Sequence, residues 1–357
     1  MITSVIYNIE MRALLPNSPM ISVIIIAHDR KNYIIEAIQS VLSQNVSKLN
    51  FEIIVVKNFR DIEIDSFIEL NGFKNRYTEA SSLGEKCILG VNSSSGEIIT
   101  FLEDDDVYHE GRLQKVVEVF KSGDVVYYHN DHYIIGADGN LYSDRLFPSV
   151  GSSYSIKLAE LNLKNTRRLL SGGAYFNLSS IAFRKSSIID KLQGLKGLTV
   201  ACDNFIFYTA LDTGKIIYID SERLTKYRIH SNNDSVFLSS NSEIIKRSIS
   251  FLERDILGYN STLKFVSNSF LQRIVRCRMT AASINLLIID IENQSKQSID
   301  YFIALKCCLK LRYVQMAKLL VVNLIRFFYP KIGPKIYLMY INRENSALNS
   351  MKKVQQK

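Results

Sequence analysis

Apolar positions fall first into short continuous runs and later into helical periods. Ile21 to Ala27 (ISVIIIA) is a near-continuous apolar run. It predicts a strand covered on both faces. Ala27-His28-Asp29-Arg30 breaks it. Ile34, Ala37, Ile38, Val41 and Leu42 then recur at helical spacing and predict a helix from Lys31 to Gln44. Phe51 to Val56 (FEIIVV) predicts a second buried strand. Strand, helix and strand within about 40 residues make a right-handed βαβ unit with parallel strands. Ligands of such sheets sit at the carboxyl ends of the strands, so His28, Asp29, Lys57 and Asn58 line one edge.

Residues 59–82 are polar and mixed and give no clear element. Leu83 to Val91 predicts a short helix, Ser93 to Gly96 a turn, and Ile98 to Leu102 a strand delivered to the same edge. Gly111 to Lys121 predicts a helix, Val125 to Tyr128 a strand, and Asp138-Gly139-Asn140 a hairpin-type turn. A helix and a Gly172-Gly173 break follow within 149–175. Ser180 to Arg184 predicts a strand, and Asp203 to Leu211 a helix ended by Asp212-Thr213-Gly214. Ile216 to Ile219 predicts a last strand, and Tyr227-Arg228-Ile229-His230-Ser231-Asn232-Asn233 follows it. After residue 241 the pattern is mostly helical, with apolar clusters at Ile284 to Ile291 and Leu319 to Phe328. Pro330 and Pro334 are expected to break the last helices. No repeat of about 20 to 50 residues is present.

At 357 residues the chain suits one large domain or two ordinary ones. Its 47% hydrophobic and 22% charged residues match a globular protein. The five cysteines form no C-x-x-C pair and are odd in number. That pattern predicts reduced thiols in a cytosolic setting rather than a disulfide framework or a zinc site. Residues 1–20 show no signal peptide, and no window reaches about 18 uninterrupted apolar residues.

The net charge of +9 is uneven. From 241 onward 19 Lys+Arg face 7 Asp+Glu, which is +12; the remaining 25 against 28 give −3. A basic segment on a slightly acidic body suggests an anionic surface as target. Apolar helices with interleaved Lys and Arg fit an interfacial arrangement on anionic lipid. The plainer alternative is a helical bundle packed on the first domain. Nucleic acid is not expected as a partner, because the aromatics form no stacking array with the basic residues.

Four consecutive acids, Glu103-Asp104-Asp105-Asp106, end the Ile98 to Leu102 strand. Such a run repels itself unless something positive sits there. Hard cations such as Mg²⁺ and Mn²⁺ take carboxylate oxygens and leave positions for substrate phosphates. A solvated acidic turn capping the next helix is the bland alternative.

In their order these motifs resemble the family 2 glycosyltransferases with a GT-A fold, over roughly Met20 to Asn233. ISVIIIAHDRKNYIIEAIQSVLSQ looks like the family's nucleotide-binding start and FEIIVV like its second strand. SLGEKCILGVNSSSGEIITFLEDDD looks like its glycine-containing helix followed by the metal motif. ACDNFIFYTALDTGKIIYI looks like its acceptor helix, and YRIHSNN like its closing loop. The resemblance implies an α/β fold: a GT-A (Rossmann-like) mixed, mostly parallel sheet flanked by helices, with a C-terminal mainly α-helical extension. It divides the chain into a lead-in at 1–19, a GT-A domain at 20–240 and a basic helical region at 241–357.

The activity implied is transfer of a sugar from a nucleotide diphosphate to an acceptor hydroxyl, with inversion at the anomeric carbon. The leaving diphosphate calls for a Lewis acid, Mn²⁺ or Mg²⁺. Glu103 and Asp105 take the metal-motif positions, and His230 sits where the family places a histidine near the metal or the diphosphate. Asp106 is expected to orient neighbours or the sugar. Asp203 sits at the position of the base that deprotonates the acceptor; a plain helix N-cap is its alternative. Ala27, His28, Asp29, Arg30, Lys57, Lys86 and Asp104 are the expected nucleotide-sugar contacts, through backbone groups at His28 and Asp29. A surface histidine and a solvated helix lysine are the alternatives for His230 and Lys86.

The chain departs from the family at three places. Lys57 and Asn58 stand where acids usually follow the second strand, so a UDP-sugar is a default donor. Glu103 replaces the first Asp of the metal motif. Cys202 stands where Glu is common. The acceptor implied is a glycan or a polyprenyl-linked glycan. The setting implied is cytoplasmic, on the inner face of the cell membrane if the basic region binds lipid. The alternative function is a catalytically inactive sugar-nucleotide-binding or scaffold protein. Nucleotidyl transfer is a third class, and AHDRKN lacks the glycines its phosphate loop needs.

Overall fold

The structure of the chain is a computed structural model that describes residues 20–44, 50–142, 149–230, 240–290, 301–310, 314–339 and 341. The expected lead-in at 1–19 and Ser231 to Asn233 of the closing loop lie outside them. The described residues form two compact units, divided between Arg228 and Ile229, with Tyr142 grouped in the second.

The first unit opens with β1 (Ile21–Ala27), α1 (Ile34–Leu42), β2 (Phe51–Lys57), α2 (Ile62–Leu70), β3 (Lys74–Tyr77), α3 (Leu83–Ser93) and β4 (Ile98–Glu103). These strands make the parallel half of one sheet, in the order β3-β2-β1-β4. Every residue of β1 is buried, as a strand between two parallel neighbours requires. Val23, Ile25 and Ala27 share a core with Ile34, Ala37, Ile38 and Val41 of α1. Burying one such side chain contributes about 1.5–3 kcal/mol.

Ser82 caps α3 by accepting from the Glu85 amide at 3.1 Å, and its hydroxyl donates to the Glu85 carboxylate at 2.6 Å. Gly84 lies so close to the backbone carbonyl of Leu195 that a Cβ there would collide with it. The absence of a side chain lets the Gly84 amide reach Leu198 O at 2.7 Å.

The other half of the sheet is β5 (Val107–Tyr108), β6 (Val125–Gly136), β7 (Tyr154–Ile156), β8 (Ile181–Arg184) and β9 (Ile216–Ile229), with helices α4 (Arg112–Phe120), α5 (Leu163–Ser171) and α6 (Cys202–Leu211). β8 runs antiparallel to both β4 and β6, and β9 antiparallel to β5 and β7. The sheet has nine strands and is mixed, with helices flanking it, as expected.

Several elements go beyond what the sequence pattern predicts. α2 and β3 fill the stretch left open at 59–82; α2 buries only Ile64 and Ile68, too few for a periodic signal. β6 continues past Tyr128 through His129-Asn130-Asp131-His132, polar side chains that are all buried. β9 runs on to Ile229 rather than stopping at Ile219.

The second unit is helical: α7 (Asn241–Phe265), α8 (Ser269–Ile289), α9 (Tyr301–Lys310) and α10 (Val314–Phe328). Ser240 and Asn268 cap α7 and α8. α8 is the hub, packing on α7, α9 and α10. Cys277 of α8 and Cys307 of α9 form a disulfide with Cα atoms 5.8 Å apart. This corrects the expectation of reduced thiols for that pair: helix packing brings together two residues 30 apart that carry no local motif. Cys87 and Cys202 are free and buried. α10 stops before Pro330, as expected, whereas Pro334 falls in the first turn of a helical stretch at 332–339. A first-turn proline breaks nothing, because its missing N–H has no partner to lose. Among the described residues no helix is long and apolar enough to cross a membrane.

Candidate functional site

β1 and β4 are parallel neighbours with Ile26 opposite Glu103. The acids leaving β4 therefore meet the Ala27-His28-Asp29-Arg30 run leaving β1. Asp104 donates its amide to Ile26 O at 3.0 Å and accepts the His28 amide at 3.4 Å. The Arg30 guanidinium forks across two carboxylates, reaching Asp104 Oδ1 and Asp105 Oδ2 at 2.6 Å each.

One guanidinium serves several buried acids. Burial alone lowers the Arg30 pKa, but Asp105, Asp104 and Glu103 outweigh it and the net shift is upward. The acids shift upward as well. Burial and then the Asp105 charge push Asp104 to about 7 and Asp106 to about 8. Burial, Asp106 and Asp105 raise Glu103 well above the usual range, with a further push from Asp203. The directions agree physically: one cation among clustered anions gains protection while the anions stay under-compensated.

Asp203 thus lies within electrostatic reach of Glu103, and it also raises the phenol of Tyr127. The cap residue of α6 is Ala201, held at φ 64°, so Asp203 stands inside the first turn. It accepts the amide of its own neighbour Asn204 at 2.7 Å. Capping does not account for its position. Ala201 in the left-handed region, costly for a residue with a Cβ, sets the entry of α6.

A second arginine, Arg228 on β9, completes the frame. Nothing in the Tyr227-Arg228-Ile229-His230 motif marks a role for it. Its side chain is 1% exposed. Its amide donates to Asp106 Oδ1 at 2.9 Å, and its Nε to the Asp105 carbonyl at 2.7 Å. Its Nη2 pairs with Glu36 of α1 at 2.6 Å, and the guanidinium lies over the Tyr33 ring. Ser179 holds the other side, accepting the Glu103 amide at 2.9 Å and bonding Asp106. Only burial distinguishes these two residues, and burial is not written in a local motif.

The remaining expected contacts fall into three groups. His28 and Asp29 are exposed at the edge, 3.3 Å apart side chain to side chain. Asp29, at φ 55°, exchanges two bonds with Asn58, its amide to Asn58 Oδ1 at 2.9 Å and its carboxylate from Asn58 Nδ2 at 2.7 Å. Asn58 thus ties the ends of β1 and β2 where the family pattern has an acid. Lys86 is buried behind the edge against the His28 ring, its pKa lowered by burial. Lys57 points inward, its ammonium 2.5 Å from Asp65 and 2.8 Å from Phe59 O. His230, the first residue after β9, belongs to the second unit and is buried.

A divalent cation can be tested against these residues. The donor set is hard oxygen, three of its carboxylates have raised pKa values, and buried Asp106 Oδ2 has no hydrogen-bond partner. That chemistry fits Mg²⁺ or Mn²⁺. Among the described residues no three His, Cys, Asp or Glu side chains converge in ligating geometry.

The model described as Glycosyl transferase family 2 matches residues 22–193. An uncharacterized glycosyltransferase of Nostoc sp. is 30% identical over 266 residues, 71% of this chain and 76% of that protein. One of Rickettsia typhi is 27% identical over 218 residues, 60% of this chain; the match spans 65% of that relative's length. Among solved structures, S. aureus TarS 1–349 in complex with UDP-GlcNAc superposes with a TM-score of 0.59 at 14% identity, covering 87% of this chain and 92% of that one. At that identity the likeness establishes the fold alone.

Proposed function

The chain belongs to glycosyl transferase family 2, and on that premise we propose that it transfers a sugar, with inversion, from a nucleotide diphosphate to a hydroxyl of a glycan or polyprenyl-linked glycan. Asp203 accepts the proton of the acceptor hydroxyl as its oxygen bonds to the anomeric carbon. The bond to the diphosphate breaks on the opposite face, and the diphosphate leaves with the electron pair. Asp104 and the backbone at Ala27 and His28 bind the nucleotide end, and Lys86 and Arg30 add positive charge beside it. A UDP-sugar is the default donor, in keeping with the UDP-GlcNAc named for TarS. Asp105 with Glu103 would hold Mn²⁺ or Mg²⁺, which when bound would supply Lewis-acid charge for the leaving group. Arg228 and Ser179 fix the backbone and side chains of the acids.

The observation that carries this reading is the electrostatic proximity of Asp203 to Glu103, the first of the four acids at the β4 edge. The second reading, an inactive nucleotide-binding relative, draws support from Arg30, which already pairs with Asp104 and Asp105. Asp203→Asn separates the two. Isothermal titration should show nucleotide-sugar affinity within about threefold of wild type, while turnover falls at least about a hundredfold. Turnover retained within a few-fold would remove Asp203 as the base.

A further inference from the structure

α10 is built inside out for a helix in water. Val321, Leu324, Ile325 and Phe328 recur at three- and four-residue spacing on one face, and they are 37–68% exposed. The opposite face carries Asn323 and Arg326, 7% and 8% exposed. Asn323 donates to Tyr301 OH at 3.1 Å and Arg326 to Leu287 O at 3.0 Å. Polar groups thus face the protein while apolar ones face outward. α9 continues the outward surface with exposed Phe302 and Leu305, the Lys306 ammonium lying 3.9 Å from the Phe302 ring centre. Residues 301–341 contain seven Lys and Arg and no Asp or Glu. Lys306, Lys318, Lys331 and Lys335 are all exposed.

We propose that the outward face of α9 and α10 is an interfacial anchor for an anionic lipid bilayer, with Leu324 and Phe328 entering the acyl boundary and the lysines meeting headgroups. An exposed apolar stripe of this size on a helix calls for an apolar partner. The acid-free cationic surround selects an anionic one. A span is excluded by length: 15 residues rise about 22 Å, against about 30 Å of hydrocarbon. The helix therefore lies in the interface plane, lysine stems alongside the apolar groups and ammonium groups outward. The inference does not rest on the transfer reading, since a chain unable to bind a sugar nucleotide would anchor equally well.

The chain contains no Trp, so Phe328→Trp creates a single reporter. With full-length protein and vesicles of phosphatidylcholine containing phosphatidylglycerol, its emission should shift to shorter wavelength and be quenched by bromolipid. Pure phosphatidylcholine vesicles should leave it much less changed. In co-sedimentation, Leu324→Ser with Phe328→Ser should weaken binding at least tenfold. Each of Lys318→Gln, Lys331→Gln and Lys335→Gln should cost roughly fivefold. Unchanged Trp emission overturns the proposal, as does equal sedimentation of the double variant. Self-association lost in the double variant, without vesicle binding, assigns the face to a second copy and also overturns it.

Discussion

The two units bury opposite things. In the first, Arg30 and Arg228 are drawn inward to hold a cluster of acids, and the apolar residues of β1, β2 and β4 are sealed between layers. In the second, Asn323 and Arg326 are inward and Leu324 and Phe328 outward. Inward charge in the first unit has a local counter-charge. Outward apolar surface in the second has no partner within its own described residues. Polarity alone therefore does not say which face of an element meets solvent; the partner decides.

The sharpest test of this contrast is Arg228→Ala. Removing a buried guanidinium takes the partner from Glu36 and the donor from the Asp105 carbonyl, so about 2–4 kcal/mol of stability should be lost in denaturant unfolding. A loss below about 1 kcal/mol would show that the acids are framed by something else. Next comes reduction of Cys277–Cys307, which closes 30 residues of chain. A reductant should destabilise the helical unit by roughly 2–4 kcal/mol and leave the first unit's calorimetric transition in place.

The acid cluster adds a pH dependence of smaller size. Asp104 and Asp106 titrate at about 7 and 8 in the folded chain, against 3.8 for the ordinary carboxylate. The folded state holds the extra protons, so their stabilising contribution is complete below the unfolded value and is lost as pH rises through 7 and 8. His129, lowered by burial to about 4, works the other way between 6.5 and 4. The melting temperature should therefore rise as pH is lowered from 8.5 to about 6.5, and Asp106→Asn should flatten that slope. The smallest effect belongs to the second unit: Leu324→Ser should change stability by less than about 0.5 kcal/mol, because its side chain is already in water. A larger loss would mean that the outward face is covered.

How far each region could be read from sequence follows from the same physics. β1, β2 and β4 are continuous apolar runs, and their register brings Arg30 to the acids without further information. The ordered motifs likewise placed Asp203 on the first turn of a helix. α2 and β3 were illegible because they bury too little to leave a period. The polar second half of β6 was illegible because Asn130 is satisfied by Thr225 and Arg112, residues distant in sequence. Arg228 and Ser179 escaped because their roles depend on partners more than 70 positions away. The pairing of Cys277 with Cys307 required the packing of α9 on α8.

The central claim is that the acids at the β4 edge exist to bind a nucleotide diphosphate together with a divalent cation. It is tested most directly by the melting temperature of the full chain with UDP-sugars, with and without Mn²⁺. A ligand that binds only the folded state at about 100 times its Kd stabilises by about 2.7 kcal/mol. The account predicts a rise of several degrees only when both are present, abolished in Asp105→Ala. An equal rise without Mn²⁺ that persists in Asp105→Ala, or no rise with any sugar nucleotide, would contradict it.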